Sequence, residues 1–448
     1  MRIALVTDRY LPEARAAAYH TSELAQGWSS RGHDVTVLTR QPTQYVPGGQ
    51  PSAAIPPREQ LGGVDVRRFR GITASLNIWL RLLDQLVLLG KLLAALLWGP
   101  RFDAIYILSP PLLFALPVAV AARLRRIPMV LNLHDLYPQV AVDLGVLKNR
   151  FLIWTAERLE AFVYSSAARI LVAAPASLAI LTGCKQVVPG KVDLLWNFVD
   201  PGEWGPQTVE NAFRARHGLE GRFVVMYAGQ LGLAQDLDVM LECARQTVQE
   251  RDWLYVVVGD GPKATKWKEQ AKGLPNVRML GPVDTKEYFG AVRAADVALV
   301  LLSASFRAPA IPGKTQTIMA VGRPVVAAVP EGNDTAELLR QVNCGIAVPA
   351  GDATGLRQAI ERLASDAPLR ERMGQNGAAY ARQHFHSFAA VVQTEQAIQQ
   401  EAGCACQAGS PISSPNGGEE VQDILSEFHR APSRHRLAAK AAGGSDRA

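Results

Sequence analysis

Short apolar runs alternate with longer segments of helical period along most of this chain, and the series occurs twice. "RIALVTD", "HDVTVLT", "DAIYIL", "PMVLNLHD" and "RILVAA" have strand length, and the first helical pattern, over about residues 16–31, is closed by Gly32. Near residue 222 the series restarts with "RFVVMYAG", "WLYVVVGDG", "VRMLG", "VALVLL", "PVVAAV" and "GIAVP". Apolar runs that lack polar alternation and are separated by helices predict parallel strands covered on both faces. Two series parted near "NFVDPGEWGPQTVE" therefore predict an α/β chain of two doubly wound, Rossmann-like domains facing each other across a cleft. The expected bounds are 1–200 and 206–380, followed by a C-terminal helix over 381–402. The tail, 403–448, is rich in Gly, Ser, Pro and Ala and is expected to be disordered.

Five scattered cysteines, Cys184, Cys243, Cys344, Cys404 and Cys406, show neither a disulfide framework nor zinc-ligand spacing, which fits a reducing cytoplasm. The opening "MRIALVTDRY" runs straight into a strand and lacks a leader's apolar core. One segment departs from the alternation. "SLNIWLRLLDQLVLLGKLLAALLW" nearly has the length of a bilayer span, but Arg81, Asp84 and Lys91 interrupt it, so an interfacial helix at about 76–98 is expected instead. Between Arg58 and Arg126 ten basic residues face four acidic ones, a surplus suited to an anionic membrane surface. The reading is thus a cytoplasmic protein attached peripherally to the inner face of the membrane, with Trp79 and Trp98 at headgroup level and Leu86, Leu89 and Leu93 inserted.

Open α/β sheets bind ligands beyond the carboxyl ends of their strands. In the second series those ends supply Gly229, Gly232 and Gln235, then Asp260, then the stretch "APAIPGKT". That stretch is one residue short of a phosphate loop, but Pro309 and Pro312 lack the N–H groups such a cradle uses. Its physics suits a smaller anion: Lys314 at a helix start, with Thr315 and Thr317 behind it, fits a diphosphate. In the first series, His134 and Asp135 close "PMVLNLHD", as an acid or base and as a stabiliser of positive charge. Tyr10 and Glu13 close the first strand and offer another wall of the cleft, whereas His20 and His33 read as structural. No G-x-G-x-x-G follows the first strand, which excludes the usual dinucleotide fingerprint.

The ordered set "DRYLPE", "RGHDVTVLT", "HDLYPQVAVDLG", "YAGQLGLAQDLDVML", "VVVGDGP", "LPNVRMLGPV", "IPGKTQTIMAVGRPVVA" and "AELLRQVNCGIAVPAGD" resembles the bacterial family 4 glycosyltransferases over about residues 1–400. It looks most like the subgroup that builds O-antigen, colanic-acid and capsule repeat units. The resemblance implies the GT-B fold and metal-independent, retaining transfer from a nucleotide-diphosphate sugar to a saccharide or polyprenyl-diphosphate-linked acceptor. It implies no cofactor and no nucleic acid, and leaves the oligomeric state open. Carried over by position, Gly229, Gly232, Gln235, Asp260, Lys314, Thr315 and Thr317 would hold the donor, while Asp135 and His134 lie by the reacting sugar. Tyr10 and Glu13 fall on the acceptor side. Two departures accompany it: many members carry two Glu residues where this chain has Pro309 and Thr317, and Gln235 stands where a basic residue is common. A sugar-nucleotide epimerase of the same shape and a catalytically inactive membrane-bound scaffold are the alternative readings.

Overall fold

The computed structural model describes residues 1–13, 16–42, 55–71, 78–109, 111–199 and 208–403. The expected tail, all but its first residue, lies outside the described residues. The strands of the first domain are β1 (Arg2–Thr7), β2 (Asp34–Arg40), β3 (Arg58–Leu61), β4 (Val64–Phe69), β5 (Ala104–Ser109), β6 (Met129–Leu133), β7 (Arg169–Val172) and β8 (Val192–Leu194). Its helices are α1 (Ala16–Ser30), α2 (Ile78–Trp98), α3 (Leu112–Arg125), α4 (Gln139–Asp143), α5 (Arg150–Ser166) and α6 (Pro175–Gly183). They form one sheet of order β3-β4-β2-β1-β5-β6-β7-β8, parallel except for β3 against β4. The β3–β4 pair is not announced by the alternation, because Arg58, Glu59, Arg67 and Arg68 break its apolar run.

The second domain begins with α7 (Thr208–His217) and continues through β9 (Phe223–Ala228), α8 (Asp238–Gln246), β10 (Trp253–Val258), α9 (Ala264–Ala271), β11 (Val277–Leu280), α10 (Thr285–Arg293) and β12 (Val297–Leu301). It then runs through α11 (Gly313–Ala320), β13 (Val325–Val329), α12 (Asp334–Val342), β14 (Gly345–Pro349), α13 (Ala353–Ser365) and α14 (Ala367–His384). Its sheet is wholly parallel, in the order β11-β10-β9-β12-β13-β14.

Successive strand residues point to opposite faces, so a strand buried along its whole length must be covered twice. In β1, Ala4 and Val6 pack with α2, α3 and α5 residues, whereas Ile3 and Leu5 pack with Leu24 and Trp28 of α1. Met226 and Ala228 of β9 likewise lie in one core, and Val225 and Tyr227 in another. Both sheets are thus doubly wound, as the uninterrupted apolar runs require.

The chain then crosses back. The last helix, α15 (Ser387–Glu401), lies on the first domain against α1. The Trp28 indole donates to Thr394 Oγ1 at 3.1 Å, and the Glu395 carboxylate meets Arg31 at 2.5 Å and His33 at 2.6 Å. Gly27 permits this crossing, since a Cβ there would lie 2.5 Å from a Val391 methyl. The helix expected over 381–402 is corrected: its first residues belong to α14, and the chain breaks at Phe385-His386, where the His386 side chain accepts from Phe388 N.

The apolar segment forms an amphipathic helix, α2. Leu88, Leu92 and Leu96 recur every four residues and are buried, while Leu83, Leu86 and Trp98 are exposed. Asp84, which interrupts the run in sequence, turns inward and lies 3.6 Å from Arg40. Leu89 and Leu93 pack partly against the core, so of the three leucines expected to insert in a membrane only Leu86 stands clear. Among the described residues, no helix is long and apolar enough to cross a membrane.

Candidate active site

From β9 the second domain's chain proceeds one way to β10 and β11 and later the other way to β12, β13 and β14. The gap between β9 and β12 is therefore a topological switch point, where open parallel sheets place their ligands. At the end of β9, Gly229 takes a φ of +141° and its N–H donates to Val258 O. The next loop folds tightly against it. A Cβ on Gly259 would lie 1.9 Å from Gly229 O, and one on Gly261 would lie 2.5 Å from Leu231 O, so only glycine lets these two turns meet.

The stretch "APAIPGKT" enters the same gap from β12. Pro312 precedes α11, no side chain caps the helix, and it begins at Gly313. Lys314 folds back over the end of β9. Its ammonium donates to the Tyr227 hydroxyl at 2.5 Å and stands 3.8 Å from the centre of that ring. The Tyr227 hydroxyl in turn donates to Gln230 O at 2.7 Å, so its orientation is set. A Cβ on Gly229 would lie 3.1 Å from Lys314 Nζ, which shows how closely the ammonium lies on the glycine backbone. Burial without a counter-charge lowers the Lys314 pKa to about 7. The group is thus a cation held ready for an anion, beside free N–H groups at a helix start.

The other expected donor residues are distributed unevenly. Gly232 lies in the β9 loop, where its N–H donates to Gln235 Oε1 at 3.0 Å, so Gln235 shapes the loop through its own amide. Asp260 is exposed and binds the N–H of Gly261. Thr315 and Thr317 are both buried, Thr315 completely, and the Thr317 hydroxyl bonds back to Gly313 O. They lie on the inner face of α11, away from its open end.

In the first domain His134 and Asp135 follow β6, and His134 N donates to Ser109 O across the sheet. Burial lowers the His134 pKa to about 4, so the ring is neutral near pH 7 and does not act there as a charged acid. Burial raises the Asp135 carboxyl to about 6. Among the described residues no cation pairs with it. The chain continues through Tyr137, which packs against the cores of both domains, to Val140 of α4, which shares a core with Ile311 and Ile318 of the second domain. Asp135 therefore sits at the seam between the domains. His20, read as structural, lies with its ring 6.0 Å from that of His134 and edge-on to Phe198, and burial and His134 hold its pKa at about 3.

Tyr10 and Glu13, expected as a wall of the cleft, both lie among buried residues. Tyr10 is buried in the core, and the buried Glu13 carboxylate is neutralised by Arg9 at 2.7 Å. The domains meet also at α6, where Ala176 N donates to Asp334 Oδ1 of α12 at 3.3 Å.

Tyr227 and Tyr137 were missed by sequence reasoning, and each carried a usable signal. Tyr227 is the one polar tip in the run "FVVMYA", two residues before a glycine turn, and Tyr137 follows the His-Asp pair.

Residues 15–197 match the model of the glycosyl transferase 4-like domain, and residues 222–366 match that of glycosyl transferases group 1. The two matches follow one another along the chain, one on each domain of the fold, and each spans less than half of it. Over 240 residues it is 27% identical to the probable glycosyltransferase WbjE of Pseudomonas aeruginosa, which covers 52% of this chain and 59% of that protein. Over 168 residues it is 29% identical to an alpha-D-kanosaminyltransferase of Streptomyces kanamyceticus, covering 37% of this chain and 42% of that protein. The matched stretch is thus about half the length of these relatives. The fold is GT-B. Anabaena HepE in complex with UDP superposes with a TM-score of 0.66 at 17% identity, over 89% of this chain and 100% of that one. The lipopolysaccharide glycosyltransferase WaaG does so with a TM-score of 0.64 at 16% identity, over 90% and 100%.

Proposed function

We propose that this glycosyltransferase moves a sugar, with retention of configuration and without a bound metal, from a nucleotide-diphosphate sugar to a saccharide acceptor carried on a polyprenyl diphosphate. The observation that carries the donor half is Lys314, desolvated against Tyr227 and Gly229 at the switch point of the second sheet. The helix start and the ammonium together neutralise the diphosphate as it departs. Asp135, ionised above about pH 6, faces the positive charge that develops at the anomeric carbon. His134, neutral near pH 7, contributes hydrogen bonds. HepE, whose structures hold UDP and UDP-glucose, supports a nucleotide sugar as donor.

The acceptor half rests on the surface of the first domain. α3 packs against both α2 and α5, and exposed apolar side chains occur on all three, including Leu86, Trp98, Leu113, Leu124, Phe151 and Trp154. Such a surface beside a basic segment suits peripheral attachment at the inner face of the membrane, where cell-surface polysaccharide such as O-antigen, capsule or colanic acid is assembled.

A thermal-shift panel of UDP-, GDP- and dTDP-sugars tests the donor assignment, since a bound ligand raises the melting temperature by mass action. Incubation of the stabilising donor with membrane extract then separates transfer from its rivals. Sugar found on lipid supports transfer, an epimerised donor supports the epimerase reading, and binding without turnover supports the scaffold.

A further inference from the structure

Tyr227 is buried in the same core as Val225 and Tyr255, yet its hydroxyl reaches the switch point at the end of β9. A phenol has one proton to give, and Tyr227 gives it to Gln230 O at 2.7 Å. Only its lone pairs therefore remain for Lys314, whose ammonium donates to that oxygen at 2.5 Å. Among the described residues the phenol is the one hydrogen-bond acceptor the ammonium has, and no carboxylate pairs with it. One hydroxyl thus joins two segments that reach the gap from different strands: the loop after β9, through Gln230, and α11, through Lys314.

The surroundings leave this placement to the hydroxyl. The titratable neighbours are Tyr227 on β9 and, next to that phenol, Tyr288 on α10. β12 and β13 contain no ionisable side chain, and α14 meets the far end of α11, where Gly377 lies against Met319. Burial alone accounts for the lowered pKa of Lys314. The Tyr227 ring attracts the ammonium, whose nitrogen lies 3.8 Å from its centre, but a ring face lets a cation slide across it. A hydrogen bond is directional. It is the bond to the hydroxyl that leaves Nζ over the Gly229 turn, where a Cβ would lie 3.1 Å from it.

We propose that Tyr227 is a positioning residue of the donor site: its hydroxyl holds the Lys314 ammonium charged on the Gly229 turn and ties it to the loop at Gln230, so that a phosphate meets a cation already in place. The inference rests on the nucleotide-sugar reading above, and its test keeps the two apart. Tyr227→Phe leaves the ring in its core and removes only the oxygen. NMR of the unliganded protein with ¹³Cε-labelled lysine reads the ammonium directly, as the signal missing from Lys314→Met. In wild type that signal should titrate near pH 7. In Tyr227→Phe the midpoint should fall by about one pH unit, because an acceptor that favours the charged form is gone. Calorimetry with UDP-, GDP- and dTDP-sugars supplies the second readout. Tyr227→Phe should weaken the donor that wild type binds about three- to tenfold, and Lys314→Met should weaken it more. The double variant should be no weaker than Lys314→Met, since the hydroxyl acts through the ammonium. A wild type that binds none of the sugar nucleotides sinks the nucleotide-sugar reading and takes this inference with it. A wild type that binds one, with additive losses in the double variant or with a lysine midpoint that stays or rises in Tyr227→Phe, overturns this inference alone.

Discussion

Lys314 lies in the first turn of α11 and Tyr227 near the end of β9, yet the lysine ammonium donates to the phenol at 2.5 Å and covers the face of its ring. A neutral partner orients the cation without satisfying its charge, and burial then lowers the lysine pKa to about 7. A diphosphate bound there, as proposed above, would supply the missing counter-charge and draw the proton back.

That coupling predicts a pH-dependent affinity. Below about pH 7 the free lysine is already charged, and binding a nucleotide-diphosphate sugar should vary little with pH. Above it, each binding event must take up a proton, so affinity should fall by up to about tenfold per pH unit. Sugar conjugates are the right probe because their diphosphate has no proton to lose near neutrality. Titration calorimetry of Lys314→Met should give weak, pH-independent binding. A mutant that retains the wild-type slope would remove Lys314 from the site.

The glycines make a second, graded prediction. Gly229→Ala adds a Cβ 3.1 Å from Lys314 Nζ at a φ of +141°. It should cost more than about 1 kcal/mol of stability and weaken donor binding. Gly259→Ala places its Cβ 1.9 Å from Gly229 O, forcing two backbone turns apart. Thermal melts should rank Gly259→Ala well below Gly229→Ala, with both below wild type.

Asp135 should show opposite effects on stability and on turnover. Its folded pKa of about 6 lies above the ordinary carboxyl value of 3.8. For a raised carboxyl, stability is greatest at low pH and is lost as pH rises from 3.8 through 6, because the buried group must ionise. Asp135→Asn removes that cost, so its melting temperature at pH 7 should equal or exceed that of wild type. Its turnover should fall sharply, and the wild-type rise in activity through about pH 6 should vanish. A destabilised variant with intact turnover would mark Asp135 as structural.

The doubly wound architecture was legible because strands buried on both faces leave long apolar runs that depend little on context. Lys314 was legible for a local reason, its place at a helix start. Its neighbours were not, because Tyr227 meets it across 87 positions of sequence. The burial of Thr315 and Thr317 was not legible, because only packing shows that α11 turns both polar side chains into the core. The apolar helix α2 was half legible: its apolar run fits burial and lipid contact alike, and only packing separates the buried face from the exposed one. The break between α14 and α15 was hidden because both flanks favour helix and the return to the first domain is a tertiary event.

Activity should survive chelation. Among the described residues no cluster of three His, Cys, Asp or Glu side chains could hold a metal ion, and α11 with Lys314 provides the positive charge that a leaving diphosphate needs. Turnover measured in excess EDTA should match that in buffer. Loss of turnover, restored by Mg²⁺ or Mn²⁺, would mean that the diphosphate is neutralised by a cation the substrate brings with it.

Membrane attachment can be tested by separating exposed residues from buried ones. On α5 the rings of Phe151 and Trp154 are stacked and exposed, and the Arg158 guanidinium lies 5.6 Å from the Trp154 ring centre. On α2, Leu86 and Trp98 are exposed, whereas Leu92 is buried. Aromatic and aliphatic tips flanked by cations bind an anionic interface through apolar burial and through attraction of roughly 1 kcal/mol per nearby basic residue. Vesicles containing phosphatidylserine should therefore bind the protein better than purely phosphatidylcholine vesicles, and high salt should reduce the difference. The pair Phe151→Glu with Trp154→Glu, and separately Leu86→Glu with Trp98→Glu, should release it without lowering the melting temperature. Leu92→Glu should instead unfold it, since an unpaired carboxylate would enter the core between α2 and the sheet. A wild type that ignores both kinds of vesicle at low salt would end the membrane assignment and leave a soluble saccharide as the acceptor.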